Sequence, residues 1–259
     1  MIVPSEAPAR IVATSRGPAS VVDEGDGPPV VLVHGLPGSV RDFRWLTPSL
    51  VTRARVVRVD LPGFGGTPIV SGPDPSPEGR AAFVHAVVDA LGLERPVIVG
   101  HSMGGLVAVA TVAARPGGFR GLGLVASPGL RPHAGFRRLP RRSLHLVTTG
   151  PWAPAFRPLV RRLFESAGFR GYPDAALART VACLRATRFD AHAARVRSLS
   201  LPTLAAWCAD DPLVDASLLA ELADALPPGP RLRWATGGHN PQKTHAPALA
   251  EGILALLGG

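Results

Sequence analysis

Residues 96–114 carry no formal charge over 19 consecutive positions, and the order of residues inside that stretch decides what it becomes. A bilayer span needs about 18–20 apolar residues in one unbroken helix, so length alone would admit one. The stretch is not uniform. Val97-Ile98-Val99 is β-branched, Gly100-His101-Ser102-Met103-Gly104-Gly105 is polar and glycine-rich, and residues 106–114 form helix until Arg115-Pro116-Gly117 stops it. Two glycines after a polar triplet oppose a continuous helix. The stretch therefore reads as strand, tight turn and helix inside a buried core, with no membrane span.

The rest of the chain repeats that unit. Residues 10–14 and 19–22 suggest an early hairpin, and residues 29–34 form a continuous apolar run, as in a strand covered on both faces. A helix is expected over 39–50 with Ser39 as N-cap, then a strand over 55–60 and a Pro/Gly-rich loop over 61–77. Ser76 is placed to cap a helix over 76–91 and Gly92 to end it. Strands over 121–126, 202–208 and 231–234 alternate with helices over 215–226 and 247–257. This order predicts an α/β fold with a mostly parallel central sheet flanked by helices. Residues 128–201 break the pattern: they are rich in Arg, Pro and aromatics and read as a helical insertion. The expected organisation is a core of 1–127 and 202–259 interrupted by that segment. A 259-residue chain that is 46% apolar and 18% charged can bury a full core and is not disordered. Cys183 and Cys208 are too few for a disulfide framework and read as buried thiols of a reduced compartment. Residues 1–17 show no signal peptide, so the cytoplasm is the expected location.

Gly100-His101-Ser102-Met103-Gly104 fits G-x-S-x-G, a weak signal in a glycine-rich chain until its position is considered. Ser102 falls between a predicted strand and a predicted helix, as a nucleophile elbow requires. His34-Gly35-Leu36-Pro37-Gly38 follows an earlier strand. In elbow geometry the amide after the nucleophile, Met103, is one oxyanion donor, and Leu36 is the natural second because Pro37 has no N–H. Ala209-Asp210-Asp211-Pro212 ends a late strand, with Asp211 as the orienting carboxylate, Asp210 its neighbouring alternative, and Asp215 better suited to an N-cap. Gly237-Gly238-His239-Asn240 follows the last strand and supplies the base, His239, with His245 as the alternative. His101 and His34 read as bracing neighbours of their own turns. No HExxH or cysteine cluster suggests a metal.

The HGLPG loop, DLPGFGGTP over 60–68, GHSMGG, ADDPLV and GGHN, with the chain order Ser102, Asp211, His239, together resemble the α/β-hydrolase superfamily. The resemblance is to its branch of small, cap-bearing serine esterases, and it covers most of the chain outside 128–201, which corresponds to the variable cap. It implies acyl transfer without a cofactor. Ser102 would attack a carbonyl, His239 act as general base and then acid, Asp211 orient the imidazole, and the amides of Leu36 and Met103 bind the oxyanion. The implied substrate is a small carboxylic ester, with lactones and thioesters as variants. Among the cap aromatics, Trp152, Phe156, Phe164 and Phe169, the first two are expected to line the acyl pocket. Two other readings stand beside this one. A C–C bond hydrolase or a cofactor-free oxygenase or haloperoxidase would use the same fold, although His101 and Asn240 differ from the Asn and Trp those C–C hydrolases tend to carry there. A non-catalytic receptor would keep the fold as a binding module.

The net charge of +9 is unevenly spread. Residues 128–201 hold 14 Arg against three acids, whereas the remainder carries 14 basic and 16 acidic groups. A nearly neutral body with a basic insertion makes nucleic acid unnecessary as an explanation. It points instead to an anionic substrate, or an acidic acyl-carrier protein, steered to the insertion. A solvated arginine-rich surface is the plainer alternative.

Overall fold

The computed structural model describes residues 3–69, 74–133, 136–137 and 140–258. Its strands are β1 (Arg10–Thr14), β2 (Gly17–Glu24), β3 (Pro29–Val33), β4 (Arg55–Val59), β5 (Val97–His101), β6 (Gly121–Val125), β7 (Thr203–Cys208) and β8 (Arg231–Trp234). They form one sheet in the order β1-β2-β4-β3-β5-β6-β7-β8. The β1–β2 hairpin and the β2–β4 pair are antiparallel, and all pairs from β4 to β8 are parallel. The main helices are α1 (Pro77–Ala90), α2 (Met103–Ala114), α3 (Arg141–Thr149), α4 (Ala153–Ser166), α5 (Asp174–Ala186), α6 (Phe189–Arg197), α7 (Ala216–Ala225) and α8 (Ala246–Ala255).

Because side chains alternate across a strand, the apolar runs feed two separate cores. Val31, Val33, Val57 and Ile98 face one layer, where α1, α2 and α7 pack. Val30, Leu32, Val56, Val97 and Val99 face the other, against Phe43, Leu46 and Leu50 and the inner side of α8. Every residue of β5 is buried, as a central parallel strand covered on both faces must be.

One predicted element is different. The helix expected over 39–50 is a 3₁₀ turn, Val40–Phe43, and a separate single helical turn, Thr47–Leu50. Pro48 has no N–H to continue a helical ladder through that point, and it stands instead in the first turn of the second piece, where none is needed. Ser76 does cap α1, its side chain accepting from the Gly79 amide at 3.1 Å, and Gly92 takes φ +59° just past the helix end. Asp215 occupies the N-cap position of α7 without a side-chain capping bond. Between β6 and β7 the described residues hold α3 to α6, and α3, α4 and α5 share a small apolar cluster of their own. Among the described residues no helix is long and apolar enough to cross a membrane, and both cysteines are buried and free.

The Ser76 cap gives a direct stability test. Ser76→Ala is expected to lower the unfolding free energy by about 1 kcal/mol in chemical denaturation. It should leave the denaturant slope unchanged, because the surface exposed on unfolding is the same.

Candidate active site

Ser102 stands where β5 hands over to α2, at φ +51° and ψ −129°. A positive φ on a residue with a side chain costs on the order of 1–3 kcal/mol and persists only where its surroundings enforce it. Two backbone hydrogen bonds of 2.8 Å do so: the Ser102 amide donates to Val125 and the Gly105 amide donates to Ser102. The glycines allow the crossing. A Cβ on Gly100 would lie 2.4 Å from the Gly104 carbonyl oxygen, and one on Gly104 would lie 2.4 Å from the carbonyl oxygens of both Val33 and His34. The helix start is thereby pressed onto the end of β3. The Ser102 side chain makes no capping bond to its own helix and is left for other partners.

That partner is His239. Ser102 Oγ and His239 Nε2 are 2.8 Å apart, and His239 Nδ1 and Asp211 Oδ2 are 2.7 Å apart. Asp211 Oδ1 also accepts from the amides of Leu213 at 2.8 Å and Val214 at 3.1 Å. Burial pushes the Asp211 carboxyl up, but the His239 hydrogen bond and charge and the two amides outweigh it, and its pKa lies below the usual value. An ionised Asp211 can only accept, so His239 carries its proton on Nδ1 and leaves Nε2 free to accept from the Ser102 hydroxyl.

The alternative residues have other tasks. Asp210 accepts from the amides of Gly237 at 3.1 Å and Gly238 at 2.8 Å, which ties the loop before His239 to the end of β7. His245 stacks on Trp234 at 4.5 Å, and its Nε2–H donates to the Thr236 carbonyl at 2.7 Å. His101 Nε2–H donates to the His239 carbonyl at 2.8 Å. Burial and the nearby His239 push the His101 pKa down to about 3, so its ring is neutral. His34 donates from Nδ1 to the Gly35 carbonyl at 2.7 Å and accepts at Nε2 from the Leu61 amide at 3.0 Å, holding two loops together. Asp60 works alongside it, accepting from Ser20 Oγ and from the amides of Val40 and Gly66 at 2.8 to 2.9 Å. That role accounts for the DLPGFGG segment: a Cβ on Gly65 would overlap the Asp60 carboxylate.

Two cavities meet at Ser102. One, of about 460 Å³, is mainly apolar and is lined by Leu36, Met103, Phe136, Leu163, Phe164 and Leu184 among others. The second, of about 410 Å³, is more polar and brings in Asp42, Arg170, Tyr172 and Asn240. Leu36, Phe169, Leu213 and His239 line both. Trp152 and Phe156, expected in the acyl pocket, line neither; they are exposed by 71% and 38%. The inward face of α4 is the one carrying Val160 and Phe164; Phe156, one turn before Val160, lies at its exposed border, and Trp152 stands at the N-cap, before the helix begins.

Asp42 was not among the residues picked out from sequence. Its local signal is Ser39-x-x-Asp42, a capping-box spacing, and the Ser39 amide does bond its carboxylate. Burial, helped by the charge of Asp60, pushes Asp42 up to about 7. Tyr172, the single tyrosine of the chain, is pushed to about 12 by burial and by Asp42.

A doubly covered, mostly parallel sheet with a strained serine turn at its carboxyl edge is the α/β-hydrolase fold. A family model described as the alpha/beta hydrolase fold matches residues 28–149. The chain is 29% identical over 255 residues to the "Putative carbamate hydrolase RutD" of Escherichia coli O1:K1, covering 90% of this chain and 93% of RutD. It is 30% identical over 257 residues to polyketide synthase ThaQ of Burkholderia thailandensis, but spans only 12% of that protein's length. The structure of the esterase EaEST from Exiguobacterium antarcticum superposes with a TM-score of 0.76 at 16% identity, covering 96% of this chain and 99% of EaEST, which is a likeness of fold. The chain has the α/β-hydrolase fold, and its residues 28–149 match the model of that family.

The buried imidazoles set the pH dependence of stability. His101, at about 3, and His192, pushed by burial and by Arg195 to about 4, are lowered from an ordinary 6.5. Between those limits the unfolded chain binds more protons at these sites, so their contribution is present above pH 6.5 and is lost as pH falls. Asp42 acts in the opposite sense over 3.8 to 7, because its native form holds the proton. The two histidines outnumber it. Thermal melts should therefore show a midpoint that drops from pH 6.5 to 4, and Asp42→Asn should steepen that drop. A flat profile would contradict the assignment.

Proposed function

We propose that the chain is a serine hydrolase of carboxylic esters, working through a covalent acyl-enzyme. The observation that carries this reading is the continuous hydrogen-bond relay from Ser102 Oγ through His239 to Asp211, set on a strained turn at the junction of two cavities. Ser102 attacks the ester carbonyl carbon while its proton passes to His239 Nε2. Asp211 stabilises the imidazolium so formed. The carbonyl oxygen, now an oxyanion, accepts from the amides of Leu36 and Met103, each worth about 3–4 kcal/mol in the transition state. Collapse expels the alcohol, which takes the proton from His239. Water then adds to the acyl carbon by the same steps and releases the acid. The apolar cavity suits the acyl chain and the polar one the alcohol. Residues 128–201 serve as the cap over both, and their excess of arginine, with Arg170 on the polar cavity, favours an anionic ester.

Carbamate cleavage is the second reading. It uses the same attack on a carbonyl, and it is favoured by the near full-length match to RutD. Comparing kcat/KM on an ester and a carbamate with the same leaving group decides between the two.

Ser102→Ala should abolish labelling by a fluorophosphonate probe and lower ester turnover by at least about 10³-fold, as removal of a triad nucleophile does. Labelling of another serine, or turnover retained in purified Ser102→Ala, would overturn the mechanism. Complete inertness of the wild type to ester and carbamate panels would instead favour a binding module. Asp211→Asn should cost on the order of 10⁴-fold in kcat by losing the tautomer control of His239. Asp210→Asn, acting only on the loop, should cost far less, and the reverse order would reassign the acid.

A further inference from the structure

Helix α4 has two apolar faces, and the fold uses only one. Val160 and Phe164 are buried against Leu144, Leu177 and Val181. Trp152, Phe156, Leu159 and Leu163 follow one another at spacings of four, three and four, the repeat of a single helical stripe. These four are 71%, 38%, 64% and 41% exposed. Burying a side chain of this size is worth about 1.5–3 kcal/mol, so an outward row of four is unexplained by folding. Leu146, on the neighbouring α3, adds a fifth at 69%.

Charge and shape select the occupant. Residues 128–201 carry 14 Arg and three acids, and Arg142, Arg157 and Arg162 are exposed near the stripe in sequence. The stripe is a ridge along one helix and not a groove, so it needs a surface that yields around it. A tryptophan at one end of an apolar row, on a helix whose other exposed positions include Arg157, Arg161 and Arg162, is the pattern of a helix lying in a lipid interface. Anionic headgroups complement the arginines, each contributing about 1 kcal/mol near such a surface.

We infer that α4 is an interfacial helix that docks the protein on an anionic lipid surface through Trp152, Phe156, Leu159 and Leu163. The last of these also lines the apolar cavity that reaches Ser102. Docking thus sets one wall of that cavity against the lipid, and, resting on the ester reading above, gives an acyl chain dissolved in lipid a route that avoids water. Binding itself does not depend on Ser102 chemistry.

Co-sedimentation of the full chain with vesicles of phosphatidylcholine alone, or containing one third phosphatidylglycerol, tests the inference at low salt. Wild type and Ser102→Ala should both bind the anionic vesicles, with a blue shift of tryptophan fluorescence that Trp152→Phe removes while still binding. The double variant Trp152→Ser/Leu159→Ser, altered only at solvent-exposed positions, should bind at least tenfold more weakly, yet hydrolyse a short water-soluble ester at the wild-type rate. Equal binding by wild type and the double variant would overturn the inference, as would no binding to either vesicle. Concentration-dependent dimerisation that this double variant abolishes, without vesicle binding, would assign the stripe to a second copy of the chain and likewise overturn it. A chain inactive on every ester but binding as described would overturn the catalytic reading alone.

Discussion

The contact on which the rest of the site depends is the crossing of α2 over the end of β3, at a separation that only glycine permits. Gly104 touches the backbone of Val33 and His34, and Gly100 touches the backbone of Gly104 and Gly105. That double approach forces the chain through a positive φ at Ser102 and lifts the serine out of the sheet. Any side chain at either glycine would move the start of α2 and with it the Met103 amide. The turn at Ser102 is therefore a steric construction first. Its cost in backbone strain is covered by the two dense apolar layers on either side of β5.

Around that fixed point the polar residues divide their labour in pairs. Of the adjacent aspartates, one faces the histidine ring and the other holds the backbone that carries the ring. Of the histidines, His239 meets Ser102, while His101 supports the His239 carbonyl from below and His34 joins the loops after β3 and β4. A ring that must stay a structural donor is best kept neutral, and deep burial achieves this for His101.

Much of this was legible in the sequence because it is local. Strand ends can be read from apolar runs, and Ser102, Asp211 and His239 each follow such a run, so the residues brought together in space were those placed at one edge of the sheet. What was illegible depends on rotation and on tertiary neighbours. Whether Phe156 or Phe164 points inward is a question of helix phase, which composition does not reveal. Asp42 carries only the pattern of a capping residue, and its place in the wall of the cavity that Ser102 also lines follows from a turn folding back on it. The helix expected over 39–50 is two pieces because Pro48 cannot continue a helical ladder, a rule that is local to the sequence.

Residues 128–201 enter and leave the fold between two strands that are already neighbours: Leu122 pairs with Thr203 and Val125 with Ala206. The segment is thus a long excursion whose two ends are clamped by one parallel ladder. The entropy of closing such an excursion grows only with the logarithm of its length, about 0.6 kcal/mol per doubling. The length of the excursion therefore costs the sheet little. Ala176, Cys183 and Val196 tie the segment into the main core, so it is the outward faces of its helices that can change without disturbing the serine, histidine and aspartate anchored on the strand ends. Selection can therefore revise what reaches the site while leaving intact what happens in it.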